Sequence, residues 1–137
     1  IEKIPIFRGL SLGQVKRLLD AGETRKFGIG QTLCRQEDKS TDLFILMGGE
    51  VAVQVSRSEM ARITPVKVIG EMGVITTQPR SATVEVTQAC TAIVISKIHF
   101  DQIHKSDHEL AAKLYKNVIE AMGKRLRNAN ELTSMLI

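Results

Sequence analysis

The sequence is poor in the side chains that staple or stack a small protein: its 137 residues hold no Trp, one Tyr, four Phe, three Pro and two Cys. Two cysteines cannot build a disulfide framework. Cys34 and Cys90 each stand alone among apolar residues, with no Cys-x-x-Cys spacing, so both are expected as core packing residues of a cytoplasmic protein in a reducing compartment. A membrane-spanning helix needs about 20 consecutive apolar residues, and the longest runs here, such as 43–47, are far shorter. No membrane span is expected in this segment. Glu2, Lys3 and Pro5 interrupt the first apolar residues, which excludes a secretory signal pattern. The chain begins at Ile1 rather than Met and ends on Ile137, as an excised or processed segment would.

What is present describes one globular domain. A chain of 15.1 kDa buries roughly 68% of its unfolded surface by area scaling, enough for a core without disulfides or a structural metal. The net charge is +4, from 19 Lys and Arg against 15 Asp and Glu. Phosphate-backbone binding needs clustered cations, whereas here they are interleaved with acids, as in Lys16, Arg17 and Asp20 or Lys113, Lys116 and Glu120. With so few aromatics for base stacking, no nucleic-acid partner is expected.

Ser11 is placed to cap a helix carrying Leu12, Val15, Leu18 and Leu19 at helical spacing, with Gly22 at its end. From Thr24 the pattern changes to short β-type runs punctuated by turn residues at 28–30, 37–42, 48–49, 56–59 and 78–79. Val51, Val53 and Val55, and then Ala82, Val84 and Val86, alternate with polar residues as strands with one buried face. The stretch 92–95 reads as a strand buried on both sides. Residues 97–105 turn helical with Ile98 and Ile103 as core contacts, and from Asp107, a candidate cap, one long helix runs on without proline. Its Ile119, Met122, Leu126, Ala129, Thr133 and Leu136 are spaced 3, 4, 3, 4 and 3, the seam of a two-stranded coiled coil or a stripe packed on the domain's own strands. A homodimer through this helix is the expectation. Many short strands in mid-chain imply a sandwich or barrel.

The segment with chemical character is 69–83, which sets two glycines, a carboxylate and an arginine among apolar residues. An arginine beside a hydroxyl and small residues suits a phosphate, because the guanidinium forks onto two oxygens while small neighbours let backbone N–H groups approach. Arg80, Ser81 and Ala82 fit that description. Ionised Glu71 only accepts hydrogen bonds, so ribose hydroxyls and amides are natural partners. A pairing of Arg80 with Glu71 or Glu85 at a turn, with Gly70 and Gly73 as plain turn glycines, satisfies the spacing equally well.

Gly70-Glu71, followed by apolar and small residues and then Pro79-Arg80-Ser81-Ala82-Thr83, resembles the phosphate-binding cassette of the cyclic-nucleotide-binding domain family. The residues 4–11, 30–33 and 43–51 and the last helix resemble the rest of that domain. The resemblance implies a mainly β fold with flanking helices: an antiparallel β-roll, a jelly-roll-like double-stranded β-helix, with an N-terminal helix and a long C-terminal helix. Residues 1–137 would form one domain, with an opening helical segment at 1–23, the roll at 24–96 with the cassette at 70–83, and C-terminal helices at 97–137. It further implies that Glu71 accepts a ribose 2′-hydroxyl and Arg80 pairs with a cyclic phosphate. The backbone at Gly70, Met72 and Ala82 and the hydroxyl of Ser81 would complete the cradle, with Gly73 and Thr83 as further cassette positions. By looser alignment Ala61 and Ile63 line a purine pocket, and Asn128 or Asn130 reaches the base edge. Family regulators continue into a helix-turn-helix and others into channels or kinases, none of which this sequence contains.

The expected function is a sensor module that binds cyclic AMP, or less favourably cyclic GMP, and relays the event through the C-terminal helix. No cofactor is expected. Catalysis would need a metal cluster or a positioned nucleophile and base, and the only histidines, His99, His104 and His108, fall after the strands as expected solvated helix residues. That leaves no catalytic and no metal-ligating residue, and disfavours a cupin-type barrel enzyme. A ligand-free interaction module of the same fold is the competing expectation.

Overall fold

The structure, a computed structural model, describes residues 4–76 and 78–136, with side chains as far as Asn128. A short 3₁₀ turn at Pro5–Phe7 leads to helix α1 (Leu12–Asp20). Then come strands β1 (Glu23–Phe27), β2 (Thr32–Cys34), β3 (Leu43–Val55), β4 (Ser58–Ile63) and β5 (Lys67–Ile69), helix α2 (Glu71–Thr76), strand β6 (Thr83–Ile95), and helices α3 (Lys97–Ser106) and α4 (His108–Leu136). The six strands form one antiparallel sheet ordered β1-β6-β3-β4, with β2 also on β6 and β5 also on β3. This is the expected antiparallel roll with flanking helices.

Ser11 makes a capping box: its Oγ accepts from Gln14 N at 3.1 Å while Gln14 Oε1 accepts from Ser11 N at 2.9 Å, satisfying two otherwise orphan donors. Val15 and Leu18 are buried beneath α1, whereas Leu12 faces water. The uninterrupted apolar run at the start of β3 follows from burial on both faces. Phe44 and Leu46 point into the roll with Val51, Val84 and Val94, while Leu43 and Ile45 lie under the helices with Leu18, Phe100 and Leu110. The residues expected as two strands near 82–87 and 92–95 are one strand, β6, whose long pairing with β3 runs from Leu43↔Ile95 to Gln54↔Thr83. Gly48 and Gly49 do not end β3; the register with β6 slips there and the strand continues.

Two helix assignments are corrected. On α3 the core contacts are Phe100 and Ile103, while Ile98 is 71% exposed; two residues before Phe100 at 100° per residue, Ile98 lands on the opposite side of the helix. His104 is half-buried rather than solvated, because its ring meets the Tyr115 hydroxyl across the α3–α4 junction. Asp107 caps α4 by accepting from Leu110 N at 3.0 Å. The first half of α4 seats Leu110, Ala111, Leu114 and Val118 in the core. Asn117, also buried, donates from Nδ2 to the carbonyls of Ile6 and Arg8, both at 2.8 Å. Beyond that point Ile119, Met122 and Leu126 are exposed, so they do not pack on the domain's own sheet. Ala129, Thr133 and Leu136 belong to the side chains outside the described residues. Among the described residues no helix is long and apolar enough to cross a membrane.

Candidate functional site

The cassette is a strand–helix–loop–strand unit laid against β3. β5 pairs with the start of β3 through Phe44↔Ile69. Gly70 then turns the chain at φ +87°, a left-handed conformation that side chains resist, and α2 follows at once. The loop after α2 returns through Pro79 and Arg80 into β6. Arg80's main chain is tied to the 35–42 turn, since its N donates to Asp38 O and its O accepts from Glu37 N, both at 2.8 Å.

The side chain of Arg80 is 5% exposed and threads inward beside Gly70 and Gly73. Its Nε donates to Ser40 Oγ at 3.1 Å, Nη1 to Gly70 O at 3.2 Å and Nη2 to Asp42 O at 2.5 Å. A Cβ on Gly70 would overlap Nη1, and one on Gly73 would stand 2.8 Å from it. The two glycines therefore make the channel in which the guanidinium lies. Arg80 pairs with neither Glu71 nor Glu85. Glu71 is bridged by Arg125 at 2.9 Å, and Glu85 accepts from Gln54 Nε2 at 3.5 Å. Three of the five guanidinium N–H groups are used, leaving one on each terminal nitrogen. Among the described residues no carboxylate stands at ion-pair distance from this buried cation, which three neutral acceptors hold in place. A desolvated charge in that position is complementary to an anion.

A cavity of about 520 Å³ opens on this arrangement. Gly70, Glu71, Met72 and Gly73 form one wall, Arg80, Ser81 and Ala82 a second, and Val53, Ile63, Val68 and Cys34 an apolar third, with Arg125 of α4 at the rim. Burial pushes the Cys34 thiol above its ordinary pKa, against the opposing charge of Arg80, so at neutral pH it belongs to the apolar surface. Of the sequence-derived candidates, the fold thus gathers Gly70, Glu71, Met72, Gly73, Arg80, Ser81, Ala82 and Ile63 around one space. Thr83 sits just behind it, its Oγ1 accepting from Gln36 N at 2.9 Å. Ala61 is exposed on β4 and Asn128 is exposed on α4, neither lining the cavity; the side chain of Asn130 lies outside the described residues. A larger open groove of about 680 Å³ lies between α1, β1 and α3. Its charges are of both signs, with Arg17 paired to Asp107 and Arg25 to Glu23, and both arginines are well exposed, unlike Arg80.

Sequence reasoning missed Ser40, Asp42 and Arg125. The first two act through a turn hydroxyl and a backbone carbonyl, which carry no motif. Arg125 lies 54 residues from Glu71 on a helix that reads as a charged surface. Among the described residues no group of three or more His, Cys, Asp or Glu gathers as a metal site.

Comparison with known proteins points the same way. The family model for the cyclic nucleotide-binding domain matches residues 24–107. The Pycsar effector protein XpPycTIR of Xanthomonas perforans is 27% identical over 120 residues, 87% of this chain and 38% of that protein. A cyclic nucleotide-gated potassium channel of Mesorhizobium japonicum is 24% identical over 123 residues, 90% of this chain and 34% of the channel. The chain spans about a third of the length of these curated relatives. The crystal structure of Thermus thermophilus catabolite activator protein superposes with a TM-score of 0.82 at 20% identity, covering 96% of this chain and 62% of that one, a likeness of fold.

Proposed function

The chain belongs to the cyclic nucleotide-binding domain family, and from that premise we propose that its 137 residues form one regulatory domain whose cassette cavity binds a cyclic purine nucleotide, cyclic AMP in preference to cyclic GMP. The observation that carries this is Arg80, a buried guanidinium with two N–H groups unused among the described residues, on the wall of a cavity that also presents Glu71. The cyclic phosphate lies on Arg80 and the Ser81 hydroxyl, with backbone N–H groups at Met72 and Ala82 completing the cradle. Glu71 accepts the ribose 2′-hydroxyl. The purine rests on Val53, Ile63 and Val68. Guanine carries more hydrogen-bonding groups than this apolar wall satisfies, which supports the adenine preference, whereas Ala61 and Asn128 stand clear of the cavity and carry no part of it. The domain senses rather than catalyses and signals through α4.

Calorimetry with the wild-type chain tests this. Cyclic AMP is expected to bind with measurable heat and 5′-AMP at least about 10-fold more weakly, because its extra charge and open phosphate do not fit a cradle that supplies one guanidinium. No heat from either cyclic nucleotide would leave the ligand-free interaction module as the better account.

The exposed face of Ile119, Met122 and Leu126 supports the further proposal that α4 pairs with a second copy along its 3-4 seam. Leu126→Glu would place an unpaired charge in that seam. Sedimentation should show a dimer for the wild type and a shift of at least 10-fold in its dissociation constant for the variant; a wild type that stays monomeric at high concentration rejects the pairing.

A further inference from the structure

The carboxylate placed to receive the ribose is already engaged. Arg125 Nη2 donates to Glu71 Oε1 at 2.9 Å, with the Glu71 side chain 13% exposed and that of Arg125 66% exposed. The bridge joins the first residue of α2 to the exposed second half of α4, past the last core anchor at Val118. It also partitions space. Val68, Glu71 and Arg125 line both the cassette cavity and a smaller hollow of about 150 Å³ beside the N-terminal turn, so the paired side chains stand as the wall between the two.

We propose that Arg125 is an internal competitor for the nucleotide, occupying the ribose-accepting carboxylate of Glu71 when the cavity is empty. This rests on the cavity being a cyclic-nucleotide site, as proposed above. A ribose hydroxyl is a neutral donor; to reach a largely buried carboxylate it must share with or displace a charge-assisted donor of greater strength. Binding therefore works against the bridge, and by linkage the bridge is weakened by binding to the same degree. Because the guanidinium is well exposed, the contest is modest. A half-solvated ion pair corresponds to an affinity change of about 2- to 5-fold.

The experiment uses the full chain as wild type, Arg125→Gln, Glu71→Gln and the double variant. Without ligand, thermal unfolding of the four should be non-additive, the double variant losing no more than the worse single variant, since both remove one interaction. With cyclic AMP as probe, calorimetry should show Arg125→Gln binding about 2- to 5-fold more tightly than wild type, and Arg125→Lys, which keeps the charge, falling between them. Additive unfolding would show that the bridge does not hold in solution. Unchanged or weaker binding by Arg125→Gln, with wild type binding normally, overturns the competitor role and makes Arg125 a bystander or a ligand contact. Wild type failing to bind any cyclic nucleotide overturns the reading of the cavity itself and this inference with it.

Discussion

Replacing Arg80 with alanine is expected to lower cyclic-nucleotide affinity by about 30-fold to several thousandfold, roughly 2 to 5 kcal/mol. The loss is large because the phosphate would be left desolvated without its partner, in a cavity where the other cation, Arg125, lies at the rim and is already paired to Glu71. The substitution also removes the donors to Ser40 Oγ, Gly70 O and Asp42 O, so part of the effect comes from a cassette that no longer holds its own shape. Arg80→Lys separates the two causes. Lysine keeps the positive charge but cannot reach three divergent acceptors from one planar fork, so it should rescue little of the affinity. Calorimetry on both variants, with circular dichroism to establish that each is folded, measures the effect. A folded Arg80→Ala protein that binds like wild type would show that the phosphate does not rest on Arg80.

The largest expected effect on stability comes from a position outside the cassette. Gly49 sits within β3 at φ +89°, and a Cβ there would overlap the carbonyl oxygen of Ala89 and approach Cys90 Sγ to 2.7 Å. The obstacle is backbone on the paired strand β6 and cannot swing aside. Gly49→Ala combines the left-handed penalty of about 1 to 2 kcal/mol with an overpacking cost of about 1 to 3 kcal/mol, and should lower the melting temperature by on the order of 10 °C. Gly30 supplies the control. It has the same φ of +89° but no atom within 4 Å of its added Cβ, so Gly30→Ala should show the backbone penalty alone. Equal losses in thermal melts of the two variants would mean that β3 and β6 part readily at Gly49.

Much of this protein was legible in its residues where a local pattern is also a physical constraint. The Ser11 cap, the alternation through Val84 and Val86, the Asp107 cap and the order of residues 70–83 each report a short-range requirement, and the structure places them accordingly. The alternation expected through Val51, Val53 and Val55 does not hold, since Ala52 is buried with Val51 while Val55 is exposed where β3 ends. What stayed hidden depends on contacts between distant segments. α2 is six residues long and contains Gly73, too short to show a period and holding a residue that argues against a helix; it forms because Gly70 turns the chain and the core receives Val74. Gly48-Gly49 read as a turn because glycine pairs usually are one, whereas here they mark a register slip inside a 13-residue strand. Ile98 was expected on the inward face beside Ile103, whereas the packed helix buries Phe100 with Ile103 and turns Ile98 to water. The acceptors around Arg80 are mostly backbone carbonyls, which every residue owns, so no residue type could announce them.

The buried Asn117 amide fixes α4 to two carbonyls of the N-terminal turn, and a helix held there would have its fulcrum at that point. Eight residues separate it from Arg125 and nineteen from the end of the helix, or about 12 Å and 28 Å at 1.5 Å per residue. Swinging as a straight rod about that point, the helix would multiply any displacement beside the cassette more than twofold at its far end, by the ratio of those arms. The amplification owes nothing to the strength of the contact that starts it. A shift of one ångström at the bridge, too small to alter the roll, would arrive at the end of α4 as roughly 2.4 Å, close to half a turn of helix pitch.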